Sequence, residues 1–185
     1  MSSAGTRKVA LITGASRGIG AAVAGRLARD GFHVVIHYGR GADEARAVAE
    51  GIRQAGGSAS VVQADLAARD GADRLLAGLA EQQVDVLVNN AGIAPFASIS
   101  DMDVDSFDEL SAVNMRSVFF VTQKVLTRMG SGGRIINLSS VVARTAFPGM
   151  PAYSATKGFV DVLTLHLAGI PGEFGKAGHA PHFAA

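Results

Sequence analysis

Tyr153 and Lys157 stand four residues apart in the stretch PAYSATKGFV, Pro151 to Val160. On a helix this spacing puts both side chains on one face about one turn apart, an ammonium beside a phenol. A phenol ordinarily ionises at about pH 10, and a neighbouring cation favours the phenolate, so such a pair can serve as general acid and base at neutral pH. An ordinary helix surface could carry the same two residues, and the pair gains weight from Ser140, thirteen residues before Tyr153. A hydroxyl at the carboxyl end of a strand can hydrogen-bond a substrate carbonyl and hold it beside the phenol. Asn114 is a poor residue for a helix interior; it either opens the backbone to hold a water linked to Lys157 or packs locally.

A second constellation lies near the start. The run KVALIT leads directly into TGASRGIG, with Gly14, Gly18 and Gly20 followed by a helical pattern. Glycines at such a turn let the backbone approach a phosphate, and the helix after them offers unpaired N–H groups and a positive dipole end. The spacing is G-x-x-x-G-x-G rather than the common G-x-G-x-x-G. An acid about 20 residues further on would bind both ribose hydroxyls of NAD and repel a 2′-phosphate. The sequence there reads HYGR, with Tyr38 in place of an acid, while Arg17 and Arg40 could pair with a 2′-phosphate. This favours NADP(H) over NAD(H). Asp65 could accept from an adenine amino group, and the NNAG turn beginning at Asn89 could bring backbone close to a ribose or could be simple turn chemistry.

Positioning these groups requires a regular scaffold. Five apolar or β-branched runs recur, at 8–13, 33–38, 58–64, 84–89 and 133–139, separated by helical stretches at 19–30, 42–55, 70–82, 103–129 and 152–168. This alternation predicts an α/β fold, a doubly wound parallel sheet of Rossmann type covered by helices on both faces. Ligands then bind beyond the carboxyl ends of the strands.

Taken together, TGASRGIG, Asp65, NNAG, Asn114, Ser140 and Tyr-x-x-x-Lys resemble the short-chain dehydrogenase/reductase family in order and spacing. The resemblance implies a catalytic tetrad of Asn114, Ser140, Tyr153 and Lys157, with Lys157 also holding the nicotinamide ribose. It implies a cofactor set of Gly14, Ser16, Arg17, Gly18, Ile19, Gly20, Tyr38, Arg40, Asp65, Leu66, Asn89, Ala91 and Gly92, together with Tyr153 and Lys157. The surrounding text is most like NADP-dependent 3-oxoacyl-acyl-carrier-protein reductases and related carbonyl reductases. The implied activity is hydride transfer between a nicotinamide and a small carbonyl or alcohol substrate. A non-catalytic nucleotide-binding fragment or an inactive family member is the alternative. The helices at 103–129 and 152–168 pack subunits together in the family, so a homo-oligomer is expected.

After Ala168 the text GIPGEFGKAGHAPHFAA departs from the family pattern, which continues with two further strands. The expectation is a Rossmann-like unit over 1–168 lacking those strands, then an atypical, flexible tail over 169–185. His179 and His182 in that tail lack the partners of a metal site, and none is assigned. Lysine plus arginine number 17 against 16 acids, a balance that gives no footprint for nucleic acid. There are 0 cysteines, which excludes thiolate chemistry and fits a reducing cytosol. No apolar run is long enough for a bilayer and no leader pattern opens the chain, so the expected location is cytoplasmic.

Overall fold

The computed structural model describes residues 7–169. The expectations placed on the tail, including His179 and His182, therefore fall outside the described residues except at Gly169. Among the described residues, five parallel strands form one sheet in the order β3-β2-β1-β4-β5. They are β1 (Val9–Ile12), β2 (His33–Tyr38), β3 (Ser58–Gln63), β4 (Val86–Asn89) and β5 (Arg134–Asn137). Helices α1 (Gly18–Arg29), α2 (Ala42–Gln54) and α3 (Gly71–Ala77) alternate with them. Helices α4 (Val104–Ser111) and α5 (Ser117–Leu126) precede β5, and α6 (Pro151–Gly169) comes after it. Among the described residues no helix is long and apolar enough to cross a membrane.

The period-two geometry of a strand explains why the runs are apolar throughout. Leu11, Val35 and Leu87 enter one core with Leu75, Leu76, Val121 and Val125 of α3 and α5. Their neighbours Ala10, Ile12, Val34, Ile36, Val86 and Val88 enter the other, with Ala24, Ala45, Ala49 and Ile52 of α1 and α2. Parallel register sets Ile12 beside Ile36 and Val88, so each face is continuous across the three central strands. The chain runs outward from β1 to β3, then crosses back to place β4 on the other side of β1. The carboxyl ends of β1 and β4 therefore diverge into the crevice where doubly wound sheets bind ligands.

Two helices depart from expectation. The stretch read as a helix over 70–82 ends at Ala77, because the chain turns at Gly78, buries Leu79 and Val84, and draws Glu81 to His33 at 2.8 Å. A β-carbon at Gly78 would fall 2.8 Å from the Val62 side chain, so the turn sits hard against β3. The stretch read as one long helix over 103–129 contains a π-helical turn, Ala112–Arg116, between α4 and α5. There the Ser117 N–H donates to the Ala112 carbonyl five residues back, and the Ser117 hydroxyl donates to the Val113 carbonyl at 2.6 Å. Such wide turns inside α-helices are rare and concentrate at functional sites. This one carries Asn114.

Candidate functional site

The glycine-rich turn is clamped from both sides. Gly14 has φ +62°, and a β-carbon there would lie 2.8 Å from Cα of Ala91, so only glycine lets β1 and β4 turn this close together. On the β4 side, Asn90 donates from its side-chain amide to the carbonyls of Thr13 and Gly14, both at 2.9 Å. The Thr13 hydroxyl accepts from the N–H groups of Asn90 and Ala91 at 3.0 Å each. Gly20 leaves the room this needs, since its β-carbon would fall 2.5 Å from Nδ2 of Asn90. On the β2 side, His37 receives the Gly14 N–H on Nδ1 at 3.1 Å and the Ala15 N–H on its carbonyl at 2.9 Å. The first N–H groups of α1 remain without intrahelical acceptors, as at any helix start, and form a ready cradle for an anion.

Around this turn opens a cleft of about 720 Å3, within the usual range for small-molecule sites. Of the residues expected to hold a cofactor, Gly14, Ser16, Arg17, Ile19, Arg40, Asp65, Leu66, Ala91 and Gly92 line it. Gly18 is exposed at the start of α1, and Gly20 is buried beneath the turn. The Tyr38 ring packs toward the core of α1 and α2. Asn89 is not a lining residue: it is the last residue of β4, buried, and its amide donates to Thr122 Oγ1 at 2.9 Å and Asn137 Oδ1 at 2.8 Å. The second asparagine of NNAG, Asn90, takes the lining position instead. A strand side chain at Asn89 must face one helical layer, and register directs it toward α5 rather than into the crevice.

The other end of the cleft reaches Ile93 and Val113. Here Asn114 holds the Ile93 peptide by both its groups, accepting from the N–H and donating to the carbonyl, each at 2.9 Å. Its amide also donates to Thr156 Oγ1 of α6 at 3.2 Å, and the Thr156 hydroxyl donates to the Tyr153 carbonyl at 2.7 Å. Asn114 thus ties the cleft to the helix bearing Tyr153 and Lys157. Lys157 is buried, donates from Nζ to the Leu138 carbonyl at 2.8 Å, and lies 5.7 Å from the centre of the Tyr153 ring. Burial pushes its ammonium below the ordinary lysine range, with Asp161 one turn on opposing the shift.

Ser140 lies just past β5 and caps the short turn Val141–Ala143, accepting a long 3.4 Å hydrogen bond from the Val142 N–H. The Tyr153 hydroxyl makes no hydrogen bond among the described residues, and both residues are half-buried. Beneath them runs a buried polar chain: Asn89 to Asn137, then Asn137 Nδ2 to Thr164 Oγ1 at 2.8 Å, and Thr164 to the Val160 carbonyl at 2.7 Å. It fixes α6 on β4 and β5 by side chains, where two apolar surfaces could slide. His37, Asn90 and Asn137 were missed by sequence reasoning. A histidine near the carboxyl end of an otherwise aliphatic strand was the available signal for His37.

The model of the family described as short chain dehydrogenase matches residues 8–170. The chain belongs to the short-chain dehydrogenase family. It is 42% identical over 163 residues to an uncharacterized oxidoreductase of Methylorubrum extorquens, covering 87% of this chain and 66% of the relative. It is 40% identical over 161 residues to a 3-oxoacyl-acyl-carrier-protein reductase of Staphylococcus epidermidis, covering 85% and 66%. Among solved structures it is similar to the angucycline C-6 ketoreductase LanV with bound NADP, at TM-score 0.84 and 41% identity, over 86% of this chain and 65% of that one. A short-chain dehydrogenase of Burkholderia cenocepacia in complex with NADP gives TM-score 0.79 and 42% identity, covering 86% and 66%. The chain thus spans about two thirds of the length of these relatives.

Proposed function

We propose that this family member reduces a carbonyl compound, or oxidises the matching alcohol, with NADP(H) seated in the cleft between the ends of β1 and β4. The observation that carries the reading is the buried Lys157 ammonium, anchored on Leu138 and set beside Tyr153, whose hydroxyl is uncommitted among the described residues. The bound nicotinamide would supply or accept the hydride at the carbonyl carbon. Tyr153 gives its hydroxyl proton to the carbonyl oxygen in reduction and takes it back in oxidation. Ser140 donates a hydrogen bond to the same oxygen and holds it toward the phenol. The Lys157 charge steadies the phenolate left behind. Asn114 keeps the Ile93 backbone and α6 at a fixed spacing, so that the proton donor and the cleft stay aligned.

Arg17 and Arg40 line the cleft and no acid ends β2, which supports NADP(H) over NAD(H). Phe96 in the segment after β4, and Val141 and Phe147 in the segment after β5, are exposed apolar residues beyond the carboxyl ends of these strands, which supports a substrate with a hydrocarbon portion such as a 3-oxoacyl thioester. Phe107, Phe119 and Phe120 on α4 and α5, with Val162 and Leu165 on α6, are also exposed, which supports assembly of like subunits through these helices. Light scattering behind a sizing column tests that assembly. Turnover is tested by following NADPH absorbance with a panel of ketones and 3-oxoacyl thioesters. Activity that survives Tyr153→Phe unchanged would sink the mechanism.

A further inference from the structure

Near its carboxyl end β2 carries a histidine that hydride transfer does not use. His37 is 2% exposed, yet its ring spans two different walls of the cleft. Nδ1 faces the Gly14 N–H at 3.1 Å, and Nε2 lies 3.0 Å from the Ala64 carbonyl. A backbone N–H can only donate and a carbonyl can only accept, so Nδ1 is bare and Nε2 carries the proton. Burial lowers the imidazole to about 4, which keeps it in this neutral form at ordinary pH. Both partners belong to the cleft wall itself. Gly14 opens the glycine-rich turn, and Ala64 directly precedes Asp65 and Leu66 on the opposite wall. An aliphatic side chain would fill the same core volume and make neither bond.

The geometry assigns His37 the part of a positioning residue for the cofactor cleft: its neutral ring ties the glycine-rich turn of β1 to the Ala64–Leu66 wall beyond β3. The assignment rests on the reading that NADP(H) occupies this cleft. It also sorts the N–H groups of the turn. Thr13 donates to Val88, while Gly14 and Ala15 donate to the ring and carbonyl of His37. Anion binding is left to the N–H groups from Ser16 onward, which are held by a turn that cannot rotate without breaking the imidazole bond.

Three substitutions separate the two bonds. His37→Phe keeps the ring volume and removes both. His37→Asn sets an amide oxygen near the place of Nδ1 and retains the Gly14 bond, whereas His37→Gln reaches the place of Nε2 and retains only the Ala64 bond. Titration calorimetry with NADP+ at neutral pH and amide exchange of cofactor-free protein read the effects. His37→Phe is expected to weaken NADP+ by about tenfold and to speed exchange at Gly14, because a buried donor loses its acceptor. His37→Asn is expected to recover most of the affinity and the Gly14 protection, and His37→Gln neither. The KM for NADPH rises in step while kcat at saturating cofactor holds. Wild-type affinity in His37→Phe overturns the inference and leaves the cofactor reading standing. If that variant does not fold, equal affinities and equal Gly14 exchange in the Asn and Gln variants overturn it. Wild-type protein that fails to bind NADP+ overturns the cofactor reading and this positioning role with it.

Discussion

The two ends of the cleft are held in place by different means. At the glycine-rich end, the turn is fixed through backbone groups: Thr13, Gly14 and Ala15 present N–H and carbonyl groups to Val88, Asn90 and His37. At the other end, where the cleft stops at Ile93 and Val113 and Asn114 links it to α6, side chains bond to side chains across elements, Asn89 to Asn137 to Thr164 and Asn114 to Thr156. A phosphate cradle needs only backbone N–H groups in a set conformation, so steric limits at Gly14 and Gly20 go far toward building it. The proposed proton donor must be aimed, and among the described residues the hydrogen bonds of α6 to β5 and the residue after it run through Asn137 and Leu138. Buried polar bonds with single partners supply the aim that apolar packing does not.

The largest effect expected from this contrast falls on chemistry alone. Tyr153→Phe removes one oxygen that has no hydrogen-bond partner among the described residues, so the fold should not notice it. Positioned acid–base catalysis is worth about 10²–10⁴ in rate, and kcat should fall by that factor. The dissociation constant for NADP+ should change far less than kcat, since Tyr153 is one of many residues in the expected cofactor set and the N–H groups at the start of α1 are fixed elsewhere. Stopped-flow turnover and calorimetry together measure both; a parallel loss of cofactor affinity would erase the proposed separation of the two ends.

Next in size is the polar chain beneath α6. Asn137→Ala takes one of two acceptors from the Asn89 amide and the amide donor from the Thr164 hydroxyl, and it removes the link between β4 and α6 altogether, while the bonds to Thr122 and Val160 remain; each buried polar group that loses a partner costs roughly 1–3 kcal/mol. A loss of about 3 kcal/mol in urea unfolding is expected, with kcat falling as α6 loosens on the sheet. Thr122→Val, which removes one of two acceptors of the Asn89 amide, should cost about 1 kcal/mol and leave kcat nearly unchanged. If Thr122→Val matches Asn137→Ala in both readouts, the chain does not aim α6.

The sequence disclosed these two ends unequally. Aliphatic runs ending in glycine or asparagine revealed the central strands, because strands buried on both faces have no polar alternation to blur them. The placement of the glycine turn, Asp65 and the Tyr-Lys pair was legible because residue type and local spacing carry it: Gly14 and Asp65 line the cleft, and Lys157 lies beside the Tyr153 ring on α6. Asn89 was read into the cofactor set, whereas its neighbour Asn90 lines the cleft; a one-residue shift in a strand reverses the facing side, and only the register resolves it. The π-helical turn was hidden within a run that keeps helical spacing on either side of Asn114. His37 bonds across 23 residues to Gly14 and 27 to Ala64, separations at which a single sequence carries no pairing signal.

The His37 bonds also predict how the glycine-rich end responds to acid. In the folded protein the imidazole titrates at about 4, against an ordinary 6.5 once unfolded. Between those values the unfolded chain holds the extra proton, so this group's stability contribution is intact above about pH 6.5 and is lost as pH falls toward 4. The difference corresponds to about 3 kcal/mol. Urea melts at pH 7 and pH 4.5 should show a steeper acid loss in wild type than in His37→Phe, which has nothing to protonate there. Equal slopes would mean that the ring is not held in its neutral form.

The smallest effect expected concerns the cleft mouth, where the contrast between backbone and side-chain fixation returns in miniature. Arg40 is almost fully exposed and reaches Glu109 at 3.6 Å, with both residues lining the cleft. An exposed pair of this kind is worth at most about 1 kcal/mol, and salt screens it further. If Arg40 meets a 2′-phosphate, Glu109 competes with that phosphate for the same guanidinium. Glu109→Gln should then tighten NADPH by about threefold or less and leave NADH unmoved, whereas Arg40→Ala should weaken NADPH alone. The gain should shrink as salt is raised from about 0.05 to 0.5 M, because both partners are open to solvent. A Glu109→Gln gain shared equally by NADH would place the carboxylate's influence on the whole nucleotide and remove Arg40 from the choice between cofactors.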